Sequence, residues 1–414
     1  MSHLLMIESW VGASGNLLPP LLKEKGHTYT FLTRKPTHYQ NSMSTEKHPV
    51  FRYAKEIIRV ETNDVNAILD AVKGMHFDGV ITVCDYYIEI AVEVAKALNI
   101  PCPFSKRVKN VREKHLLRKA IDEAGLPNIK YSLSKNWDEL LKAANSIGYP
   151  CVLKPVDLAS SAFVRLISGE DDLKDAYDKL KAFPLNFRDQ QRDETLLLEE
   201  FMDGIEVSVE TVSYKGKTTV IGITDKSVTG EPYFIENGHM FPADLPEEKE
   251  KEITNYVTSV LEAVGYENGI GHTEVKLTKN GPRIVEINPR TAGNYIVELI
   301  EKVKGINLLE VFVELSLGNE PDLTFKNTNV KSAAIMLYVP KQGGKIVDLK
   351  GEEEIKNDEN IVRYKIENCI GEEIEKPIDN ACYLAHVVAV DTNARGARNL
   401  ATSALSKLEI RFED

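Results

Sequence analysis

The chain has 414 residues, too many for one average hydrophobic core, and its composition of 43% apolar and 28% charged residues is that of an ordinary globular protein. No apolar run approaches the roughly 20 residues of a transmembrane helix, and the briefly apolar start of the chain lacks the basic segment of a signal peptide. The net charge of −12, with no arginine-rich tract, argues against a nucleic-acid partner.

Strands and helices alternate along the first hundred residues. The predicted strands cover residues 3–9, 28–33, 56–62 and 78–84, and predicted helices follow a loop at 10–15 and cover 64–75 and 86–101. This alternation predicts a parallel sheet with helices on its faces. Gly12 and Gly15 predict a tight turn after the first strand. The pair lacks the third glycine of a dinucleotide-binding loop, so a turn without phosphate is the simpler interpretation and a nicotinamide site the weaker alternative.

Proline and basic residues near 99–110 mark a boundary. Beyond it we predict helices at 111–127 and 137–150, a short buried strand at 151–155, strands through 195–228 with a hairpin turn at 214–217, a helix at 247–266 and a hairpin at 271–290. Strands and helices after residue 320 form a smaller unit. The predicted domains are therefore residues 1–108, residues 109–320 with a lid at about 130–200, and residues 321–414.

The hairpin at 271–290 carries acidic side chains on both strands. Its turn centres on Asn280, so a symmetric antiparallel pairing places Glu274 directly opposite Glu286. Asn288 shares the face of Glu286, because side chains alternate along a strand. The apolar residues expected to point to the other face, into the core, are Val275, Val285 and Ile287.

Two opposed carboxylates repel each other. Their Cβ atoms would be about 4.5–5.5 Å apart, and at an effective dielectric constant near 20 the repulsion is roughly 3–4 kcal/mol. An exposed, screened pair or a pair that shares one proton would relieve it. A bridging Mg²⁺, which prefers one or two carboxylates together with substrate phosphates, is the functional alternative.

Other polar residues can likewise be interpreted either as solvated side chains or as ligand-binding residues. Lys154 ends the buried strand VLKP and either extends its ammonium group to solvent or points at a ligand. A loop of small residues follows it, and such a loop lets backbone N–H groups approach phosphate. Lys114 alone would be taken as a solvated helix residue. Glu199 and Glu206 flank a glycine-marked break and belong either to a solvated face or to a base- and ribose-binding linker.

Five segments resemble, in this order, the ATP-grasp family of carboxylate–amine ligases: EKHLLRKAIDEAGLP, VLKP, LLLEEFMDGIEVSVE, GHTEVKL and IVEINPRTAG. The resemblance covers about residues 108–320, and EINPR paired with the acidic strand TEVKL is its most specific part. It implies an α/β chain with an ATP-grasp fold, preceded by an N-terminal Rossmann-like parallel α/β domain and followed by a small C-terminal α+β unit.

The resemblance also implies site residues. Those expected to bind ATP are Lys114, Lys154, Ser160, Ser161, Glu199, Glu200, Phe201, Met202 and Glu206. Those expected to ligate Mg²⁺, as two ions and with Mn²⁺ as a substitute, are Glu274, Glu286 and Asn288. Arg290 and Lys154 are the expected catalytic residues, with Arg290 steadying the transferring phosphoryl and acyl groups. The loop at 157–162 carries serine and alanine where the family usually has glycine, which puts the flexibility of the loop in question.

Within the family, residues 233–246 resemble the substrate segment of bacterial L-amino-acid ligases, which make dipeptides. In those enzymes a glutamate and a histidine three residues apart line the amino-acid pocket, which implies this role for Glu236 and His239. Arg290 and Gly293 would complete the substrate site, because Gly293 leaves room near the carboxylate. A loop histidine bonded to backbone is the alternative for His239.

The implied activity is ATP-dependent joining of a carboxylate, as in an amino acid, to an amine through an acyl-phosphate, with ADP and phosphate released. The alternatives are another ATP-grasp enzyme, such as a biotin-carboxylase-like or purine-pathway carboxylase or formyltransferase, and an ATP-binding protein without turnover. We expect small-molecule partners, no nucleic acid and no membrane; a homodimer is common in relatives. The five scattered cysteines favour reduced thiols in the cytoplasm. The identity of the two substrates stays open.

Overall fold

The computed structural model describes residues 1–40 and 46–413, and its first unit is a four-stranded sheet. The elements of this unit are β1 (His3–Ile7), α1 (Ser14–Glu24), β2 (Thr28–Thr33), α2 (Pro49–Arg52), β3 (Glu56–Arg59), α3 (Val65–Ala71), β4 (Gly79–Ile81) and α4 (Ile88–Leu98). The strand order is β3-β2-β1-β4 and every neighbouring pair is parallel. The predicted parallel sheet is therefore confirmed, and the four strands end at one common edge.

The loop between β1 and α1 is the tight turn that the glycines predict. A Cβ atom at Gly15 would lie 1.9 Å from the backbone oxygen of Trp10, so no side chain fits there, whereas Gly12 faces open space. The hydroxyl of Ser14 lies 2.9 Å from the hydroxyl of Thr291. The start of α1 therefore abuts the segment that follows the acidic hairpin.

The next unit is a small antiparallel sheet covered by two helices. Its region contains α5 (Lys109–Arg112), α6 (Lys114–Glu123), β5 (Tyr131–Ser134), α7 (Trp137–Ile147), β6 (Cys151–Pro155), β7 (Arg165–Ile167), α8 (Glu170–Lys181) and β8 (Leu196–Glu200). The strand order is β5-β8-β6-β7. Leu140 of α7 and Leu173 of α8 pack with Leu153 and Leu198 of the sheet in one buried cluster. We call this unit, β5 to β8 with α7 and α8, the lid.

The segment between α8 and β8 holds the lid against the N-terminal sheet. The guanidinium of Arg188, whose residue is 4% exposed, donates to the backbone oxygen of Ser9 at 3.0 Å. The side-chain nitrogen of Asn63 donates to the backbone oxygen of Arg188, and that of Gln190 to the backbone oxygen of Tyr86, each at 3.0 Å. Ser9, Asn63 and Tyr86 follow β1, β3 and β4, so the segment covers the edge where these strands end.

The largest sheet has eight strands. The remaining elements are β9 (Ile205–Tyr214), β10 (Lys217–Thr229), β11 (Ile235–Phe241), α9 (Glu247–Ala263), β12 (Gly269–Thr278), β13 (Gly281–Asn288), α10 (Ile296–Lys304), α11 (Leu308–Ser316), β14 (Ser332–Tyr338), β15 (Gly344–Lys350), α12 (Glu352–Lys356), β16 (Ile361–Ile366), β17 (Glu373–Ile374), β18 (Ala385–Asp391), α13 (Ala397–Leu405) and β19 (Glu409–Phe412). The large sheet has the order β13-β12-β9-β10-β11-β14-β18-β16, and β17-β15-β19 form a separate sheet. Both predicted hairpins, β9–β10 and β12–β13, are present.

The two faces of the large sheet differ in polarity. Helix α9 packs on one face, where Val257, Val260 and Leu261 join Val209 and Val275 in a buried cluster. The other face carries the predicted acidic residues Glu206, Glu236, Glu274 and Glu286. Strands β14, β18 and β16 continue this sheet beyond residue 320, and the division into domains at residues 108 and 320 stays a prediction.

Within residues 1–40 and 46–413, no helix is both long and apolar enough to cross a membrane. The five cysteines carry free thiols.

Candidate active site

The acidic hairpin has the pairing that the sequence predicts. Glu274 of β12 is the direct partner of Glu286 of β13, and His272 is the direct partner of Asn288. Directly paired residues share a face of an antiparallel sheet, so the four side chains lie together. The side chains of Glu274 and Glu286 are 14% and 24% exposed. An exposed, screened pair is therefore excluded.

The prediction that Val285 points into the core is wrong. A β-bulge after Glu274 pairs Val275 with Ile284 and leaves Val285 without a partner. Ile284 is fully buried with Val275 in the core, as is Ile287, while Val285 lines a cavity on the polar face. One extra residue in the strand thus exchanges the faces of two neighbouring apolar side chains.

The two opposed carboxylates are neutralised by different lysines. The ammonium nitrogen of Lys114 lies 3.0 Å from Oε2 of Glu286, and the side-chain nitrogen of Asn288 donates to Oε1 of Glu286 at 3.0 Å. Burial raises the pKa of Glu286, but Lys114 and Asn288 outweigh it and lower the pKa to about 2. Glu286 is therefore ionised at neutral pH, which argues against a proton shared with Glu274.

Glu274 shares a buried lysine with two other carboxylates. Nζ of Lys226, on β10, lies 3.0 Å from Glu274, 3.0 Å from Glu206 and 2.9 Å from Glu236. The Lys226 side chain is 1% exposed. Although burial alone lowers the pKa of Lys226, the three carboxylates raise it well above the ordinary value. The lysine is therefore a permanent positive charge beneath the site.

Lys154 and Glu199 form a second buried ionic group together with Arg118. Oε1 of Glu199 accepts from Nε of Arg118 at 2.6 Å, and Oε2 lies 2.5 Å from Nζ of Lys154. The side chains of all three residues are at most 4% exposed. Burial raises the pKa of Glu199, but Arg118 and Lys154 outweigh it and lower the pKa. Glu199 thus fixes two cations between α6 and the lid.

A smaller cavity lies between the lid and the large sheet. Its lining includes Lys114, Lys154, Ser161, Glu199, Phe201, Met202 and Glu206, all predicted for the nucleotide site. Glu200 does not line it, because its carboxylate accepts from the backbone N–H of Lys130 at 3.0 Å. Ser160 lines only a second, larger cavity. Both serines have left-handed backbone conformations, with φ of 61° and 57°.

The larger cavity has a volume of about 640 Å³, which lies in the range of small-molecule sites. It reaches from the loop after β1 to the strand β18 and is lined by Glu236, Glu274, Glu286, Asn288, Arg290 and Gly293 among the predicted residues. Ser161, Glu236, Glu274 and Glu286 line both cavities. We call these four residues the shared wall.

Arg290 reaches the larger cavity while bound to an acid that the sequence did not single out. Its Nε lies 2.7 and 2.8 Å from the two carboxylate oxygens of Asp85, which follows β4. Burial lowers the pKa of Arg290, but Asp85 outweighs it and raises the pKa. Gly293 stands beside Arg290, and a Cβ atom there would meet nothing within 4 Å.

The predicted amino-acid pair is close together, but only one member reaches the cavity. Nε2 of His239 lies 3.3 Å from Oε2 of Glu236, and the side-chain nitrogen of Asn294 lies 2.6 Å from the same oxygen. Glu236 lines both cavities, whereas His239 is fully buried behind it and lines neither. Burial raises the pKa of Glu236, but Lys226 and His239 outweigh it and lower the pKa far below its usual range.

Sequence reasoning missed several polar residues of the site. They are Asp85, Arg118, Lys226, His272 and Asn294. His272 could have been found, because it stands two residues before Glu274 and so shares its face. Its Nδ1 lies 2.9 Å from Glu210 and its Nε2 lies 3.4 Å from Glu274. The other four depend on contacts between distant segments, which no local pattern signals.

The residues of the hairpin fit Mg²⁺. Glu274, Glu286 and the amide oxygen of Asn288 are hard oxygen donors, which Mg²⁺ prefers. Within the described parts of the chain, no group of three or more His, Cys, Asp or Glu side chains could hold a metal ion by itself. Phosphate oxygens and water would therefore complete the coordination shell, as is usual for Mg²⁺.

The antiparallel lid faces the large antiparallel sheet across an acidic cleft that is lined by lysines. Residues 147–298 match the family model described as an ATP-grasp domain, and residues 336–413 match the one described as L-amino acid ligase C-terminal domain 2. The chain therefore contains an ATP-grasp domain over residues 147–298 and, over residues 336–413, a segment that matches a C-terminal domain of L-amino acid ligases.

Curated relatives share about a quarter of their residues with the chain. Alanine–anticapsin ligase of Bacillus subtilis (strain 168) is 26% identical over 314 residues, which are 71% of this chain and 66% of the relative. Human carnosine synthase 1 is 25% identical over 270 residues, 61% of this chain and 32% of the relative. The chain thus covers about two thirds or less of the length of the curated relatives that it matches.

Solved structures confirm the predicted fold. An L-amino acid ligase from Bacillus licheniformis superposes with a TM-score of 0.83 at 21% identity, over 100% of this chain and 99% of that chain. Biotin carboxylase from Campylobacter jejuni superposes with a TM-score of 0.70 at 18% identity, over 99% and 92% of the two chains. At these identities the likeness concerns the fold alone.

Proposed function

We propose that the chain is an ATP-dependent ligase that joins the carboxylate of an amino acid to an amine through an acyl-phosphate, with release of ADP and phosphate. ATP and Mg²⁺, for which Mn²⁺ would substitute, are the proposed cofactors. Glu274, Glu286 and Asn288 are the proposed metal ligands. Bound Mg²⁺ would neutralise phosphate charge during the transfer.

The shared wall carries the proposal. A nucleotide held by Lys114, Lys154 and Glu206 in the smaller cavity would direct its phosphates toward Glu274 and Glu286. These two carboxylates also face the larger cavity, where a carboxylate substrate has room. One wall between a nucleotide cavity and a substrate cavity is the arrangement that phosphoryl transfer from one to the other requires.

The chemistry needs charge stabilisation more than acid–base catalysis. The substrate carboxylate attacks the γ-phosphorus of ATP, the bond to the β,γ-bridging oxygen breaks, and ADP leaves. The amine then attacks the acyl carbon, expels phosphate and gives up a proton. Lys114, Lys154 and Arg290 line the two cavities near the shared wall, and we assign to them the charge of the transferring groups.

The lid excludes water, which would otherwise hydrolyse the acyl-phosphate. Its loop carries Ser160 and Ser161 into the larger cavity, and the segment around Arg188 joins it to the N-terminal sheet. We assign Ser160 and Ser161 to phosphate binding through their loop, and Phe201 and Met202 to adenine, beside the β8 terminus. Glu199 holds Lys154 in place beside the proposed nucleotide site.

Two observations favour an amino acid over bicarbonate or formate as the substrate. The C-terminal residues that match the L-amino acid ligase domain supply Lys365, Tyr383 and His386 to the larger cavity. In addition, the ionised carboxylate of Glu236 faces that cavity as a partner for an α-ammonium group. His239 contacts Glu236 from behind, and Asn294, which also lines the cavity, donates to Glu236.

A phosphate-release screen tests the proposal. The purified chain, ATP and Mg²⁺ are incubated with single and paired amino acids, with bicarbonate and with formate, and products are identified by mass spectrometry. Phosphate release that needs amino acids and yields a dipeptide mass supports the ligase. Release that needs bicarbonate or formate and no amino acid supports the other ATP-grasp chemistry, and ATP binding without any turnover supports a protein that only binds nucleotide. A homodimer and a cytoplasmic location stay expectations from the sequence.

A further inference from the structure

Lys226 contacts all three parts of the proposed site. Its strand, β10, lies between β9, which carries Glu206, and β11, which carries Glu236; Glu274 comes from β12, one strand beyond β9. Glu206 belongs to the proposed ribose site, Glu274 to the metal site and Glu236 to the amino-acid site. The ammonium nitrogen of Lys226 lies within 3.0 Å of all three carboxylates, so it forms an ion pair with each of them.

Each carboxylate also has a partner of its own. Glu206 lies 3.3 Å from Lys276, Glu274 lies 3.4 Å from His272, and Glu236 lies within 3.3 Å of His239. Lys226 is therefore not the sole support of any of them. Its contribution is one positive charge that interacts with all three carboxylates at once.

Because Lys226 interacts with all three carboxylates, ligand binding at one of them changes its interaction with the other two. When a ligand cation neutralises Glu236, that carboxylate no longer draws on Lys226. The ammonium group then interacts more strongly with Glu206 and Glu274, because opposite charges about 3 Å apart in a buried site interact by several kcal/mol even at an effective dielectric constant near 20. Because Lys226 then neutralises more of the negative charge of Glu274 and Glu206, these two carboxylates bind a metal–nucleotide complex more weakly.

We propose that Lys226 is a positioning residue that couples the amino-acid subsite to the nucleotide subsite, so that neutralising Glu236 weakens the binding of magnesium nucleotide. This inference rests on the proposed function. By reciprocity, bound magnesium nucleotide weakens the hold of Glu236 on an ammonium group. The ligase would thereby loosen its nucleotide while the amino group of the product still occupies Glu236.

A double-mutant cycle measures this coupling without knowledge of the substrate. Glu236→Gln stands in for a neutralised Glu236, and Lys226→Met removes the shared charge at similar volume. The dissociation constant of MgADP is measured by calorimetry for the wild type, both single variants and the double variant. Thermal unfolding shows that each variant is folded, and Lys226→Gln replaces Lys226→Met if the latter does not fold.

The expected result is a loss of MgADP affinity of about fivefold or more on Glu236→Gln when Lys226 is present. The same substitution should change the affinity less than twofold in the Lys226→Met background. An equal loss in both backgrounds would show a through-space charge effect and overturn the proposal, as would no loss in either. A wild type that binds no MgADP would instead overturn the proposed function, and with it the basis of the coupling.

The same cycle with ADP in the absence of Mg²⁺ separates the contribution of Glu206 to the coupling from that of Glu274. Without metal, only Glu206 carries the coupling to the nucleotide, and the effect of Glu236→Gln should be smaller than with MgADP. An effect of equal size without Mg²⁺ would contradict the role given to Glu274.

Discussion

Neutralising Glu199 should destabilise the lid strongly. Glu199→Gln keeps the size of the side chain but leaves Arg118 and Lys154 as two buried cations without a carboxylate. Their side chains are 1% and 4% exposed, so water cannot replace it. Breaking a buried ion pair in this way costs about 3–5 kcal/mol.

The loss of stability caused by Glu199→Gln should depend on pH, because Lys154 becomes neutral when it loses its proton. Burial lowers the pKa of Lys154 and Glu199 opposes this, so the variant should have a still lower pKa. Deprotonating a lysine of ordinary pKa near 10.4 costs about 4.6 kcal/mol at pH 7 and about 1.9 kcal/mol at pH 9. A lysine whose folded pKa is depressed makes stability rise with pH. The deficit of the variant should therefore shrink by about 1 kcal/mol or more between pH 7 and pH 9.

Urea unfolding followed by tryptophan fluorescence provides the assay. The chain has two tryptophans, and in a Trp10→Phe background Trp137, which packs on the core of the lid, reports unfolding of that unit. Asp178→Asn is the matched control, since it removes the exposed Lys174–Asp178 pair on the lid helix α8 and should cost no more than about 0.5 kcal/mol. A stability deficit below about 1 kcal/mol for Glu199→Gln, or one that grows from pH 7 to pH 9, would refute this interpretation of the buried ionic group of Arg118, Lys154 and Glu199.

The remaining predictions concern the sheet face and the cavity. Glu286→Gln should lower ADP formation at least a hundredfold, by loss of a proposed metal ligand, without changing the circular dichroism spectrum; normal turnover would refute the metal assignment. Gly293→Ala should fold with an unchanged melting temperature, because a Cβ atom there meets nothing within 4 Å, and should shift the amino-acid preference toward smaller side chains; an unchanged substrate profile would remove Gly293 from the pocket. Glu210 raises the pKa of His272 to about 9 against the effect of burial, so this pair stabilises the fold fully below about pH 6.5 and is lost as the pH rises through 9. The stability advantage of wild type over His272→Gln should accordingly be about 3 kcal/mol smaller at pH 9.5 than at pH 6, and an advantage that does not depend on pH would contradict the pairing.

Local patterns were sufficient for the hairpin and the parallel sheet. The spacing of Glu274 and Glu286 about Asn280 predicted their pairing, although the structure reaches it through a bulge: Val275 pairs with Ile284 near the turn, and the bulge then brings Glu286 opposite Glu274. The same reasoning failed at Val285, since a bulge moves one residue to the opposite face without any mark in the sequence. The register next to the turn would by itself have paired Glu274 with Val285, so the predicted pair of glutamates depends on the bulge.

Contacts across the sheet order were beyond sequence reasoning. Lys226 meets Glu236 and Glu274 only because β10 lies between β11 and β9, with β12 beyond β9. Similarly, Arg290 finds Asp85 from a segment 205 residues away. The family resemblance placed Glu199 beside the adenine site, and sequence reasoning did not foresee that Arg118 and Lys154 engage its carboxylate. An acidic residue near a nucleotide site cannot be assigned a ligand until its ionic partners are known.

The proposed reaction transfers the γ-phosphate of ATP, at the shared wall, to a substrate carboxylate, and an amine then attacks the resulting acyl-phosphate. The most direct test is the stoichiometry of the reaction with ATP, Mg²⁺ and paired amino acids, with phosphate measured by colorimetry and product by mass spectrometry. We predict one phosphate for each new amide bond in the wild type and neither product in the Glu286→Gln variant. Phosphate release without any amide, at the same rate with and without amino acids, would contradict the account.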